Sequence, residues 1–82
     1  MALDGKYGRV TLERGDIGED EPVVVFRAQD ALLPKVLDWY ATECLKAGSP
    51  RHHVDLVLGR IPEIEAWQAN HHTQIPQSKD FQ

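Results

Sequence analysis

One cysteine, Cys44, is all the thiol chemistry this chain of 82 residues carries. A lone cysteine forms no intrachain disulfide and offers no zinc-type spacing. An unpaired thiol suits a reducing compartment. Long apolar runs are missing as well. No stretch approaches the roughly 20 apolar residues that cross a bilayer, and the opening Met-Ala-Leu-Asp-Gly-Lys-Tyr-Gly has no apolar core of a signal peptide. The expectation is a soluble, cytoplasmic protein that does not engage a membrane. Positive charge is scarce: 9 basic against 13 acidic residues give a net charge of −4. Four basic and seven acidic residues within positions 1–30 supply −3 of it. Nonspecific nucleic-acid binding needs a basic face, so it is not expected. A local basic pocket or a basic protein partner stays open.

Signature motifs are missing too. The chain has no GxGxxG, GxxxxGK[ST], HExxH, CxxC or GxSxG. We therefore expect no enzyme and no cofactor. Ser49 reads as a helix cap and Ser78 lies in the terminal stretch. Cys44 falls within an apolar stripe, where a thiol acts as a small hydrophobe rather than a nucleophile. Asp16, Glu19, Asp20 and Glu21 lack the alternate spacing of a calcium loop. The pairs His52-His53 and His71-His72 are adjacent, so their rings point about 100° apart on a helix. They read as surface histidines, and no metal site is expected.

What is present organises the chain. Residues 7–14 (YGRVTLER) alternate, with Val10 and Leu12 on one side, which predicts a strand. Residues 15–22 (GDIGEDEP) read as a loop. Residues 22–29 carry Val23, Val24, Val25 and Phe26, the β-branched and aromatic residues of a second strand. The pair predicts an antiparallel hairpin with both faces partly apolar, and a lone hairpin is marginal in water. Arg27 interrupts the apolar run and needs a partner or a ligand.

A first helix follows, capped by Asp30, with Pro34 in its first turn and Gly48 at its end. Leu33, Val36, Leu37, Tyr40, Cys44 and Ala47 make its core stripe. Trp39 falls about 130° from the stripe centre. A second helix starts at Ser49-Pro50 with the stripe Val54, Val57, Leu58, Ile61 and Ile64. Gly59 and Pro62 predict a kink or break between 58 and 62. Residues 70–82 have no period. The expected architecture is α+β: a β-hairpin packed on two antiparallel helices, one domain over 1–69 and an extended or disordered tail over 70–82.

Two sets of candidate site residues emerge. If the hairpin is antiparallel, Tyr7 and Arg9 share a face with Val23, Val25 and Arg27. Two guanidinium groups and a phenol there would grip an anionic small molecule such as a phosphate or carboxylate. The bland alternative pairs Arg27 with Asp30 or Glu13. Trp39 and Trp67 lie off their helix stripes, and Val23 and Val25 form an apolar edge; these four are the candidate interface residues. For Trp67 the alternative is packing back on the first helix.

The run EPVVVFRAQDALLP, followed by AGSP, HHVD and EAWQ, resembles a group of small accessory proteins of tailed bacteriophages. The resemblance spans about residues 7–68. It implies a phage origin and a role in the host cytoplasm, and it names no chemistry. Taken together, the expectation is a non-enzymatic accessory module, homo-oligomeric and engaging a host protein. The alternatives are a sponge-like binder that sequesters a phosphate-bearing signal nucleotide, and a minor virion or assembly component.

Overall fold

A computed structural model describes residues 3–75. It contains a two-stranded antiparallel hairpin and two helices, the expected α+β class. The described residues fall into two compact units, one ending at Phe26 and the other spanning Arg27–Ile75.

In the first unit, β1 (Leu3–Asp4) pairs with β2 (Gly8–Arg9). Leu3 lies opposite Arg9 and Asp4 opposite Gly8. The strands thus sit earlier than the alternation in 7–14 predicts. The three-residue turn Gly5-Lys6-Tyr7 is organised by Asp4, whose Oδ1 accepts the backbone N–H of Lys6 and of Tyr7, each at 2.8 Å. Gly8 follows at φ 86°, the left-handed conformation in which three-residue hairpin loops commonly close. Residues 10–14 form no strand, and Leu12 is exposed. The valine run is extended rather than a ladder strand: Val23 makes an isolated parallel bridge with Asp4. The Val25 N–H donates to Asp4 Oδ2 at 2.5 Å. Val23 and Val25 are half-buried while Val24 and Phe26 are exposed, so the run alternates with a period of two without a paired strand on each side.

The second unit is a helical hairpin. Helix α1 covers Leu33–Ala47, and Pro34 fits its first turn. Asp30 acts two residues before the cap position. Its Oδ1 accepts the Leu32 N–H at 2.8 Å and its carbonyl accepts the Leu33 N–H at 3.1 Å, which leaves Leu32 at the cap position. Gly48 ends the helix at φ 83°. The Ser49 N–H bonds the Cys44 carbonyl and the Gly48 N–H bonds the Leu45 carbonyl, the paired bonds of a Schellman closure. Ser49 therefore serves the exit of α1, and Pro50 is the cap residue of α2.

Helix α2 runs unbroken over Arg51–Ala69, with Pro62 inside it. Of the kink or break expected between 58 and 62, the break does not occur. Proline removes one backbone donor, to the Leu58 carbonyl. Buried Val54 and Ile64 hold the helix on either side of that defect.

Helices α1 and α2 pack against each other. Their core is Ala41, Cys44 and Val54, with Val57 and Leu58 packed against it. The second stripe is as expected. The first is rotated: Ala41 is buried, while Tyr40 is 46% and Ala47 largely exposed. Ala41 and Cys44 are small, so the two backbones approach closely there. The bulky Tyr40 moves to the seam, edge-on to His53 with ring centroids 6.3 Å apart.

Candidate functional site

The chain's distinctive strings meet each other within the second unit. Gln68, near the end of α2, reaches back to the segment before α1. Its Nε2 donates to the Ala28 carbonyl at 3.0 Å and to the Asp30 carbonyl at 2.9 Å. Beyond α2 the chain returns to the same segment. The Gln74 N–H donates to the Gln29 carbonyl at 2.8 Å, and the Gln74 carbonyl accepts the Ala31 N–H at 2.9 Å. Residues 27–30 (RAQD) and the Trp67-Gln68 pair are thus joined by backbone carbonyls and one carboxamide. Sequence reasoning treated them as separate strings. A glutamine one residue past an exposed tryptophan gave no sign of its partners, because carbonyl acceptors carry no sequence signature. Residues 70–75 belong to this closure in part; the rest of the expected tail, 76–82, lies outside the described residues.

The anion-binding candidates are divided. Tyr7 and Arg9 belong to the first unit, at the hairpin turn and in β2, and both are exposed. Arg27 is the first residue of the second unit, exposed at its side chain. Its carbonyl accepts the Asp30 N–H at 2.9 Å, so its backbone starts the turn into α1. The turn brings a different cation to Tyr7: Lys6 Nζ lies 5.4 Å from the centre of the Tyr7 ring, a cation–π contact. A surface cavity of about 340 Å³ opens between Val10, Leu12, Gly15 and Ile17, and its lining takes in none of Tyr7, Arg9 or Arg27.

The interface candidates also differ in setting. Trp39 is 65% exposed on α1. Leu32 and half-buried Val36 lie on the same side by helical spacing, while Tyr40 turns toward the seam with α2 at His53. Trp67 is 39% exposed, and its ring is stacked by His71 at a centroid distance of 4.0 Å and an angle of 3°. His71 Nδ1 lies 2.7 Å from the Trp67 carbonyl. That spacing fits Nδ1–H donating and leaves Nε2 to face outward in the neutral ring. Trp67 is therefore capped by its own helix end.

Two titrating groups are perturbed. Asp4 is a buried carboxylate. The Tyr7 and Val25 amides hold it below its ordinary value against the cost of desolvation, with smaller help from the Lys6 amide and charge. A hydrogen bond with the Cys44 thiol, one turn further on, raises the Tyr40 phenol. Cys44 itself is buried, as expected. Among the described residues no three His, Cys, Asp or Glu side chains gather to hold a metal ion, and no helix is long and apolar enough to cross a membrane.

Comparison with protein-family models, curated proteins and solved structures finds no match to this chain.

Proposed function

We propose that this chain is a non-enzymatic binding module that works as a homo-oligomer and engages another protein. The observation that carries this reading is the apolar flank of α1 around Trp39. Trp39 is 65% exposed on a helix whose other side is packed, with Leu32 exposed just before the helix and Tyr40 46% exposed at the seam with α2. Tryptophan and tyrosine beside aliphatic residues are the side chains most often found at the energetic centre of protein interfaces. The resemblance to phage accessory proteins makes a host-cell protein, met in the cytoplasm, the natural second partner.

A second reading rests on a different observation. The hairpin turn sets Lys6, Tyr7 and Arg9 within four residues of one another, with Lys6 already against the tyrosine ring. An exposed ring with one cation against it and a second two residues on in the chain suits a base that stacks and a phosphate that accepts charged hydrogen bonds. This supports a nucleotide ligand for the first unit.

Native mass spectrometry of the tagged chain recovered from host lysate tests the first reading. We expect multiples of 9.3 kDa that retain a second polypeptide, and Trp39→Ala should lose the oligomer, the partner or both. Calorimetry against linear and cyclic nucleotides tests the second. Tight binding by wild type, abolished by Tyr7→Ala and Arg9→Ala in a folded protein, would replace the first reading with the second. A bare 9.3 kDa species that binds no nucleotide would sink both.

A further inference from the structure

Asp4 directly precedes Gly5, and an aspartate before a glycine is prone to backbone isomerisation. The glycine amide nitrogen can attack the aspartate Cγ because no side chain shields it and its backbone turns easily. An N–Cγ bond forms, the C–OH bond breaks, and the hydroxyl leaves with the amide proton as water. A molecule of water then opens the five-membered imide at the former backbone carbonyl. The chain now runs through Cγ, and the old carbonyl carbon carries the carboxylate. Solvent water is the only other reactant.

The first unit opposes each part of this reaction. Pairing of Asp4 with Gly8 holds the backbone that must turn before the Gly5 nitrogen reaches Cγ. Both carboxylate oxygens are engaged, Oδ1 by the Lys6 and Tyr7 amides and Oδ2 by the Val25 amide. These donors keep the group ionised, and an ionised carboxylate is a poor electrophile with no hydroxyl to lose. Asp4 is also only 5% exposed, which limits attack by water. Gly5 itself is not demanded by the turn. The left-handed φ belongs to Gly8, and a Cβ placed on Gly5 would meet nothing within 4 Å. The reactive pair is thus separable from the turn's geometry.

We infer that Asp4-Gly5 is a backbone modification site gated by closure of the first unit, shielded in the hairpin and converted to isoaspartate when the hairpin opens. Conversion also removes what closes the unit. The extra backbone methylene carries the carboxylate away from the Lys6, Tyr7 and Val25 amides, so the turn does not re-form. The site goes beyond the binding readings above and depends on neither.

Ageing of the full chain at neutral pH, in native buffer and in urea, tests it. Trypsin cleaves after Lys6, so peptide 1–6 contains Asp4 as its only aspartate. Its isoaspartyl form has the same mass and separates by chromatography. Isoaspartate should accumulate in urea and about tenfold or more slowly in native buffer, because reaction from an open state is slowed by the closing equilibrium. Val25→Pro removes one donor to Asp4 and leaves residues 4 and 5 alone. It should speed native conversion severalfold with helical circular dichroism unchanged. Gly5→Ala should keep the hairpin and suppress conversion in urea. Isomerised chain returned to native buffer should lose the wild-type Lys6, Tyr7 and Val25 amide signals and keep its helical signal. Equal rates in native buffer and urea, or a Val25→Pro chain no faster than wild type, would overturn the gating. No isoaspartate in urea, or Gly5→Ala converting there as fast as wild type, would overturn the site. Wild-type amide signals in the isomerised chain would overturn the loss of closure.

Discussion

Every buried apolar side chain among the described residues, from Leu33 to Ile64, belongs to the unit that begins at Arg27, whereas the one buried side chain of the unit before it is the Asp4 carboxylate. The second unit closes by packing: Ala41, Cys44 and Val54 exclude water between two hydrogen-bonded helices. The first closes by directed hydrogen bonds from three backbone amides to one carboxylate. Packing is nondirectional and gains with every methyl group covered. A carboxylate with three donors fixes a turn of a few residues and holds only while it is charged. Two methods of closure in one short chain predict two separable responses to perturbation.

The largest break is expected in the packed unit. Val54 has no exposed surface and sits at the centre of the helix–helix contact. Val54→Ala removes two methyl equivalents from a site with little room to collapse, which costs roughly 2–3 kcal/mol. That is a large share of what a chain this short has to lose. Helical signal should melt earlier, and Cys44, protected from thiol reagents in the wild type, should label faster. A Cys44 thiol that reacts at once in the native wild type would show that the core is not closed as described.

A smaller loss is expected where the second unit depends on directed bonds. Gln68→Ala takes the carboxamide away from the Ala28 and Asp30 carbonyls. The Asp30 carbonyl keeps the Leu33 N–H, so the loss falls mainly on the Ala28 carbonyl and costs about 1 kcal/mol. The early loss should be local. Hydrogen exchange at the Ala31 and Gln74 amides, which donate to the Gln74 and Gln29 carbonyls nearby, should speed up before the middle of α1 and α2 does. Uniform acceleration across both helices would mean that this closure is part of the core rather than an addition to it.

The two units were also unequally legible. Both helices, the extent of α1 and the α2 stripe follow from period and breakers, because burial against one partner imposes the 3.6-residue repeat. Periodicity alone puts Tyr40 in the α1 core and leaves Ala41 out, because it does not say that a small residue is preferred where two helices meet. Pro62 predicts a kink or break because its local cost is certain, while the packing that offsets it on both sides is not visible in sequence. In the first unit the alternation of Val10 and Leu12 suggested a strand, but without a covering layer nothing rewards pairing there. Asp4-Gly5, a strong short-range hairpin signal, was the available clue to the true turn. The candidate site was less legible still: Tyr7 and Arg9 share a unit, Arg27 lies in the other, and Lys6 was overlooked.

The smallest effect on the whole molecule, and the sharpest test of the comparison, is acid. The Asp4 carboxyl has an ordinary value of 3.8 and is lowered in the folded chain. The unfolded chain therefore takes up a proton at higher pH than the folded one. The stabilisation by Asp4 is fully present above 3.8 and fades as pH falls through the lower folded value. Backbone amide spectra recorded from neutral to acid pH should show the Lys6, Tyr7 and Val25 signals moving together, with a midpoint below 3.8. Helical circular dichroism should hold over the same range, since the helix core contains no carboxylate. Asp4→Asn should abolish that titration. Its amide group offers one acceptor where the carboxylate offers two, so the Tyr7 and Val25 amides cannot both keep their bonds. Helical content should hardly change. If the Tyr7 and Val25 signals titrate at or above 3.8, the carboxylate is not stabilised by its three donors. If the helix signals collapse at the same pH, the two units do not close independently.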